Sequence, residues 1–412
     1  MLKVSFLSLG CKVNQAEVSF MEGTLRNYGF EVVSLGEAPD ICIVNTCTVT
    51  SKSDYQSRQL IRRAHKAGAK VVVTGCYSEL NKDSVKKMEG VVKVVANKEK
   101  YNYINEITGK NGGFALNFSS SRTRLTLKVQ DGCDSSCSYC IIPKARGSSR
   151  SAAPEGIVSE VKRAVEAGKK EVVLTGIHLG AYGHDLRPEM TLSGLVEGIL
   201  DKTGVQRLRL SSIEATEIDE RLLGLFKNER LCRHLHIPLQ SGDDNILKSM
   251  NRSYNAGYFA DKIMSISRLY PGISIGTDVI AGFPGEGEAE FRNTCNLIER
   301  LPFSYIHVFP FSPRPETKAA EMPGSVKDSE KTKRSALLRA LSERKKTGYM
   351  LGHIGKTLDV LMEERLPDGS CSGTSSNYLK IKVISKEKLR GTIVRVRVQG
   401  MDNGLLLGKP EN

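Results

Sequence analysis

Three times in the first 76 residues a short apolar run leads straight into a cysteine. "KVSFLSLG" (3–10) meets Cys11, "DICIVNT" (40–46) meets Cys47 and "KVVVTG" (70–75) meets Cys76. Runs of this length and composition read as strands, and helical patterns lie between them, which is the β-α-β rhythm of a small parallel sheet. In a doubly wound sheet the loops that follow the strands leave by one edge. The sequence therefore predicts that three thiols far apart along the chain converge at one place. Cys42 is different: it sits inside the apolar run "ICIV" and reads as a small buried hydrophobe.

The rhythm restarts near residue 125. "RLTLKVQ" (124–130), "KEVVLTG" (170–176), "VQRLRLSS" (205–212), "RHLHIPLQ" (233–240), "ISIGTDVIAG" (273–282) and "SYIHVFPFS" (304–312) are six strand candidates separated by helical segments. Six such units predict a curved, partial (β/α)6 barrel, whose chemistry sits at the carboxyl ends of the strands. The first of these strands runs into "QDGCDSSCSYC", which spaces Cys133, Cys137 and Cys140 as C-x3-C-x2-C. A zinc cage needs a fourth ligand nearby, and no His or further Cys lies between residues 77 and 177. Three thiolates suit a [4Fe–4S] cube whose fourth iron is open to a ligand that is not protein. The convergent N-terminal trio points the same way, to a second cube. Cys232, Cys295 and Cys371 have no partner at ligand spacing and are expected to be structural.

The Gly-, Ser- and Asn-rich stretch 108–124 reads as a linker. Residues 326–347 form a basic helix, and the remainder alternates in short strands and turns, the pattern of a small antiparallel β-barrel. The fold class is thus α/β: a small doubly wound parallel sheet over 1–118, a partial barrel over 119–347 and an antiparallel barrel over 348–412. No apolar run approaches the roughly 18 residues of a membrane span. The N-terminus lacks the apolar segment and cleavage site of a signal peptide, so a cytoplasmic location is expected. Ten cysteines in that reducing compartment are ligands or catalysts rather than a disulfide framework. A formal net charge of +14 calls for an anionic partner, of which nucleic acid is the usual one. From residue 351 onward ten Lys and Arg stand against seven Asp and Glu, and Arg395 and Arg397 alternate on one strand, well placed to follow a phosphate backbone. Tyr378 is placed either against a base or in the barrel core.

The "QDGCDSSCSYC" loop and the strand ends after it resemble the radical S-adenosylmethionine (SAM) enzymes over roughly residues 120–330. The resemblance implies that the amino and carboxylate groups of SAM chelate the open iron of a cube held by Cys133, Cys137 and Cys140. One electron then cleaves the sulfonium, and a 5′-deoxyadenosyl radical abstracts hydrogen from carbon. It also implies that Tyr139 packs near the adenine, although a core aromatic fits that position equally. "LTGIHLG" (174–180), with Thr175 and Gly176, resembles SAM-contacting elements of the family, as do "IPLQSG" (237–242), with Gln240 and Ser241, and "DVIAGFPGE" (278–286).

The whole layout resembles the methylthiotransferases, which join an N-terminal three-cysteine domain, a radical SAM domain and a C-terminal TRAM barrel. Here the resemblance implies that Cys11, Cys47 and Cys76 hold a second [4Fe–4S] cluster that carries the sulfur to be inserted. Three substrate classes share this layout: isopentenyl-adenosine in tRNA, an aspartate of a ribosomal protein, and threonylcarbamoyl-adenosine in tRNA. "SLGCKVNQAE" resembles the third class, as does "RLSSIEATEI" (209–218), which places Glu214 at a strand end facing the site. Ser148 and Lys144 depart from the pattern of that class. The expectation is a monomeric enzyme that methylthiolates C2 of N6-threonylcarbamoyladenosine at position 37, in the anticodon stem-loop of tRNA. Lys12 or Arg146 is the expected partner of the substrate carboxylate. The C-terminal barrel, or failing that the basic helix with Lys331, Lys333 and Arg334, is the expected tRNA site. The other two substrate classes stay open, as does a non-catalytic iron–sulfur RNA-binding protein.

Overall fold

The computed structural model describes residues 2–109, 123–385 and 387–411; most of the expected linker lies outside them. The N-terminal sheet contains β1 (Lys3–Ser8), β2 (Glu31–Val32), β3 (Ile41–Thr46), β4 (Lys70–Gly75) and β5 (Val91–Val94), ordered β2-β1-β3-β4-β5. All its pairings are parallel. Helices Lys12–Asn27 and Ser51–Lys66 follow β1 and β3. Separate apolar clusters, one containing Val44, Ile61 and Val73 and the other Val4, Leu25 and Ile43, account for the near-continuous apolar character of β3 and β4.

In the central region β6 (Arg124–Lys128) leads to a short antiparallel pair, β7 (Gln130–Asp131) with β8 (Arg150–Ser151), which brackets the C-x3-C-x2-C loop. The main wall continues with β9 (Glu171–Thr175), β10 (Arg207–Leu210), β11 (His234–His236), β12 (Ser274–Ala281) and β13 (Tyr305–Pro310). Parallel pairing runs β6-β9-β10 and β11-β12-β13, and parallel bridges at Leu208↔Leu231 and Ser212↔His236 join the two halves. These are the six expected strands in their expected order, wound as an open barrel around one apolar core.

Helix Asp328–Leu351 then packs on β13 and leads into the closed barrel of β14 (Thr357–Arg365), β15 (Cys371–Ser375), β16 (Lys380–Val383), β17 (Ile393–Asp402) and β18 (Leu405–Pro410). In β17, Val396 and Val398 face the core while Arg395 and Arg397 are exposed, the period-two alternation that the sequence predicts. The basic helix is less available than its composition implies. Lys331 and Arg334 are buried and ion-paired to Asp328 and Glu286, at 3.1 and 2.9 Å, and Lys333 alone of the three is exposed.

The three regions lock together through polar contacts. Arg314 bonds Asp54 at 2.6 Å and Thr48 at 2.9 Å, joining the central region to the N-terminal sheet. Arg207 and Arg209 donate to the carbonyls of Thr374, Ser375 and Ser376, each at 3.0 Å, and so fix the β15–β16 turn of the small barrel against β10.

Candidate functional site

As the sequence predicts, each N-terminal cysteine stands at the carboxyl end of a strand: Cys47 and Cys76 follow β3 and β4 directly, and Cys11 stands three residues past β1. Cys11 occupies the N-cap position of helix Lys12–Asn27. Two glycines let the loops close together. Gly10 has φ +116°, and a Cβ there would lie 2.9 Å from Cys47 Cβ; Gly75, at φ +103°, passes so near Thr46 that a Cβ would lie 2.3 Å from its carbonyl oxygen. Burial pushes the Cys47 and Cys76 thiols up, and each of the two feels the charge of Cys11. Such thiols ionise only against positive charge. One source is already present: Arg146 Nε donates to Cys76 Sγ at 3.2 Å.

Arg146 belongs to the helix Ile142–Arg146, which starts two residues after Cys140. Its guanidinium also bonds Glu17 at 2.9 Å, Asp131 at 2.8 Å and Asn14 at 2.5 Å. Glu17, fully buried, further pairs with Lys100 at 2.5 Å and Lys128 at 3.1 Å. Burial pushes the Glu17 carboxyl up, but these three cations outweigh it and hold it well below the usual carboxylate range. Arg146 is thus committed to a buried ionic network that ties the two cysteine-bearing loops together, and it is not the free anion partner that its position in the motif suggested.

The second trio has its own polar collar. His178 Nδ1 lies 3.4 Å from Cys133 Sγ, and its Nε2 lies 2.5 Å from Glu217. Burial lowers the His178 pKa, but the bonds to Cys133 and Glu217 outweigh it and raise it to about 10. Arg252 donates to Cys137 Sγ at 3.3 Å and pairs with Glu214. Burial pushes the Cys140 thiol up to about 12. Among the described residues, one group alone brings three metal-type ligand atoms within 4.8 Å of one another, and it contains no cysteine. Neither cysteine trio draws its three Sγ atoms that close together, whereas a single ion holds its thiolates at about 2.3 Å each. The trios suit a larger inorganic unit with one thiolate per iron, leaving one iron unclaimed by protein.

Cys140 of one trio, and Cys11 and Cys47 of the other, border adjoining cavities that share Val49, Thr50, Asp278 and residues 309–312. A cavity of about 200 Å³ is lined by Cys140, Tyr139 and Gln240. The larger, about 1070 Å³, is lined by Cys11, Cys47, Lys12, Thr175, Gly176 and Tyr378. Two of the expected SAM-region residues behave differently. Glu214 is held by Arg252, and Ser241 is fully buried, with its Oγ 3.3 Å from the hydroxyl of Thr294. Gln240 adopts φ +66°, in the left-handed region, where its strand-end backbone turns beside the cavity.

His236, Asp278 and His307 were not singled out from the sequence. They form the group within 4.8 Å on the wall of the larger cavity. Both imidazoles bond Asp278 Oδ1, at 2.9 and 3.2 Å. Burial pushes the Asp278 carboxyl up, but these bonds prevail and keep it well below its usual range. Their signal lay in the quoted strand ends, where a histidine or aspartate interrupts an apolar run. Tyr378, at the tight β15–β16 turn with φ +64°, leaves its own barrel and enters the central one. Its ring lies 4.2 Å from that of His234, with Arg209 over it at 5.1 Å and Lys12 at 5.9 Å. Lys144 pairs instead with the exposed Glu316. Cys42, Cys232 and Cys371 are buried, whereas Cys295 on helix Glu288–Arg300 is half-buried.

A parallel-sheet domain and a partial (β/α)6 barrel, each with three converging thiols at strand ends, define a radical SAM enzyme with two [4Fe–4S] clusters. Residues 3–97 match Uncharacterized protein family UPF0004, and residues 127–298 match the Radical SAM superfamily. The chain is 36% identical to the threonylcarbamoyladenosine tRNA methylthiotransferase MtaB of Bacillus subtilis, over 97% of this chain and 94% of that one. The Thermotoga maritima enzyme of the same name is also 36% identical, over 96% and 95%. The tRNA-2-methylthio-N(6)-dimethylallyladenosine synthase of Aliarcobacter butzleri is 31% identical, over 100% and 99%. The radical SAM methyltransferase TsrM of Kitasatospora setae shares the fold, with a TM-score of 0.57 at 15% identity over 78% of this chain and 77% of its own. The chain belongs to the threonylcarbamoyladenosine tRNA methylthiotransferase family. No described helix is long and apolar enough to cross a membrane.

Proposed function

We propose that this chain inserts a methylthio group at C2 of N6-threonylcarbamoyladenosine, at position 37 in the anticodon loop of tRNA. It acts as a monomer in the cytoplasm. Residues 1–118, 119–347 and 348–412 serve respectively as sulfur-carrying, radical-generating and RNA-gripping units. Cys133, Cys137 and Cys140 hold the SAM-binding cluster, and Cys11, Cys47 and Cys76 hold the second. When bound, the second cluster would supply the sulfur, one SAM its methyl group, and a second SAM at the first cluster the hydrogen-abstracting radical.

The chain's own side chains arrange the reactants. Tyr139 and Gln240 line the small cavity beside Cys140, on the side proposed for SAM, and Thr175 and Gly176 line the larger cavity on the substrate side. Glu214 acts through Arg252, and Ser241 sets the backbone of its turn through Thr294. The shared wall between the two cavities is the observation that carries this reading, because a radical formed on one side must reach a carbon held on the other without meeting water. An unpaired, splayed base of an anticodon loop suits a cavity of about 1070 Å³. The test is mass spectrometry of tRNA nucleosides from cells lacking this protein and then regaining it. The 2-methylthio form of threonylcarbamoyladenosine should vanish and return; its persistence in the deleted cells would refute the proposal.

A further inference from the structure

What sets threonylcarbamoyladenosine apart from an isopentenylated base is a carboxylate at the end of its N6 substituent. A site that selects it by charge needs a cation that faces the cleft and is not already neutralised by protein. Most of the cations around the cavities fail that condition. Arg146 is spent on Glu17 and Asp131, Arg209 on Glu171, Arg124 on Glu363, Arg252 on Glu214 and Lys331 on Asp328.

Lys12 meets the condition. It is half-buried, it lines the large cavity, and it has no carboxylate within ion-pair distance among the described residues. The Tyr378 ring lies 5.9 Å from its Nζ. Lys12 also borders a second cavity of about 530 Å³, whose lining sets Arg124, Arg209, Lys380 and Arg390 against Glu363 and Glu364, so positive charge stays in excess around it even after the ion pairs are counted. Its backbone is fixed as the first residue of helix Lys12–Asn27, next to Cys11. In adenine, C2 and C6 flank N1 on one edge of the six-membered ring. A base that offers C2 to sulfur at the Cys11 site therefore carries its N6 substituent past the adjoining residue. Lys52 also borders the large cavity, with no carboxylate at ion-pair distance among the described residues, but it is exposed, and water screens a contact there.

We infer that Lys12 is the specificity-determining residue of this site, with its ammonium gripping the carboxylate of the threonylcarbamoyl group beside Tyr378. The inference rests on the proposed substrate. A charge-assisted hydrogen bond shielded from water discriminates by roughly ten- to a hundredfold.

The experiment offers cluster-loaded enzyme two anticodon stem-loop RNAs, one carrying threonylcarbamoyladenosine and one its neutral carboxamide. Dissociation constants, kcat/KM, iron content and cluster electron paramagnetic resonance spectra are compared for wild type, Lys12→Met, Lys12→Gln and Lys52→Met. Wild type should favour the carboxylate RNA by about ten- to a hundredfold in both affinity and kcat/KM. Lys12→Met should reduce that preference to about threefold or less with iron content and spectra unchanged, while Lys52→Met should keep it. If Met at position 12 costs iron, the affinity ratio of Lys12→Gln decides. A preference that survives both Lys12 variants, or that Lys52→Met abolishes, overturns the inference and leaves the proposed function standing. Inactivity of the wild type on both RNAs overturns the proposed function instead.

Discussion

Glu17 is the keystone of the buried network between the two cysteine loops, and replacing it by Gln is the sharpest structural test of that network. The change keeps size and hydrogen-bonding shape and removes one charge. Three cations, Lys100, Lys128 and Arg146, now share two carboxylates, Glu17 and Asp131. In Glu17→Gln they would share one, with Lys100 and Arg146 almost fully buried. Stranding a buried charge costs about 3–5 kcal/mol, which is about 10²- to 4 × 10³-fold in a local opening equilibrium, at 1.4 kcal/mol per decade. Amide hydrogen exchange of helix Lys12–Asn27 reads this directly, because that helix carries Glu17. Protection there should fall by about that factor, while helix Asp328–Leu351 is unchanged. Adding Lys100→Met should restore part of the loss by removing a cation left without its partner. The surface pair Lys93–Glu106, with side chains 42% and 64% exposed, is the control: Glu106→Gln should cost less than about 1 kcal/mol. A loss of protection below about tenfold in Glu17→Gln, or no recovery in the double variant, would refute the charge-balance argument.

Acid should act on the same network. Glu17 and Asp131 are both held below their ordinary values, so their contribution is complete above the unfolded carboxylate pKa of about 4 and is lost as pH falls through the folded values. Protection of helix Lys12–Asn27, corrected for intrinsic exchange, should be flat from about pH 8 to 5 and drop below about pH 4; a decline already between pH 7 and 6 would contradict this. The two cysteine trios should separate by product. Replacing Cys133, Cys137 or Cys140 by Ala should abolish SAM cleavage, whereas replacing Cys11, Cys47 or Cys76 should leave cleavage but stop methylthio transfer; the starting iron content should be about eight per chain. Equal loss of cleavage in both sets would defeat the division of labour. Neutralising Arg395 and Arg397 together should weaken tRNA binding and reduce its logarithmic salt slope by roughly two. Unchanged binding would move the RNA site off this strand.

Local pattern carried most of what the sequence disclosed. The six-strand wall was legible because each strand is an apolar run between helical stretches, the N-terminal cysteines because each closes such a run, and the central three by their C-x3-C-x2-C spacing. The two missed strands of the N-terminal sheet, β2 and β5, are two and four residues long, too short to show a period. What stayed hidden is pairing across distance. Arg146 read as a substrate-facing cation because its partner Glu17 lies 129 residues away. Glu214 and Ser241 read as cofactor contacts because nothing local shows Arg252 or Thr294 beside them. Tyr378 sits at a turn of one barrel and completes the wall of another, a placement that no periodicity within its own segment can express.

The central claim is the substrate, and one assay addresses it most directly. Purified enzyme with both clusters, SAM and a reductant is offered two matched tRNAs, one with threonylcarbamoyladenosine at position 37 and one with isopentenyladenosine. Methylthiolated nucleoside is then quantified by mass spectrometry. The account predicts product from the threonylcarbamoyl tRNA at about ten- to a hundredfold higher kcat/KM. Preference for the isopentenyl tRNA, or product from neither, would contradict it.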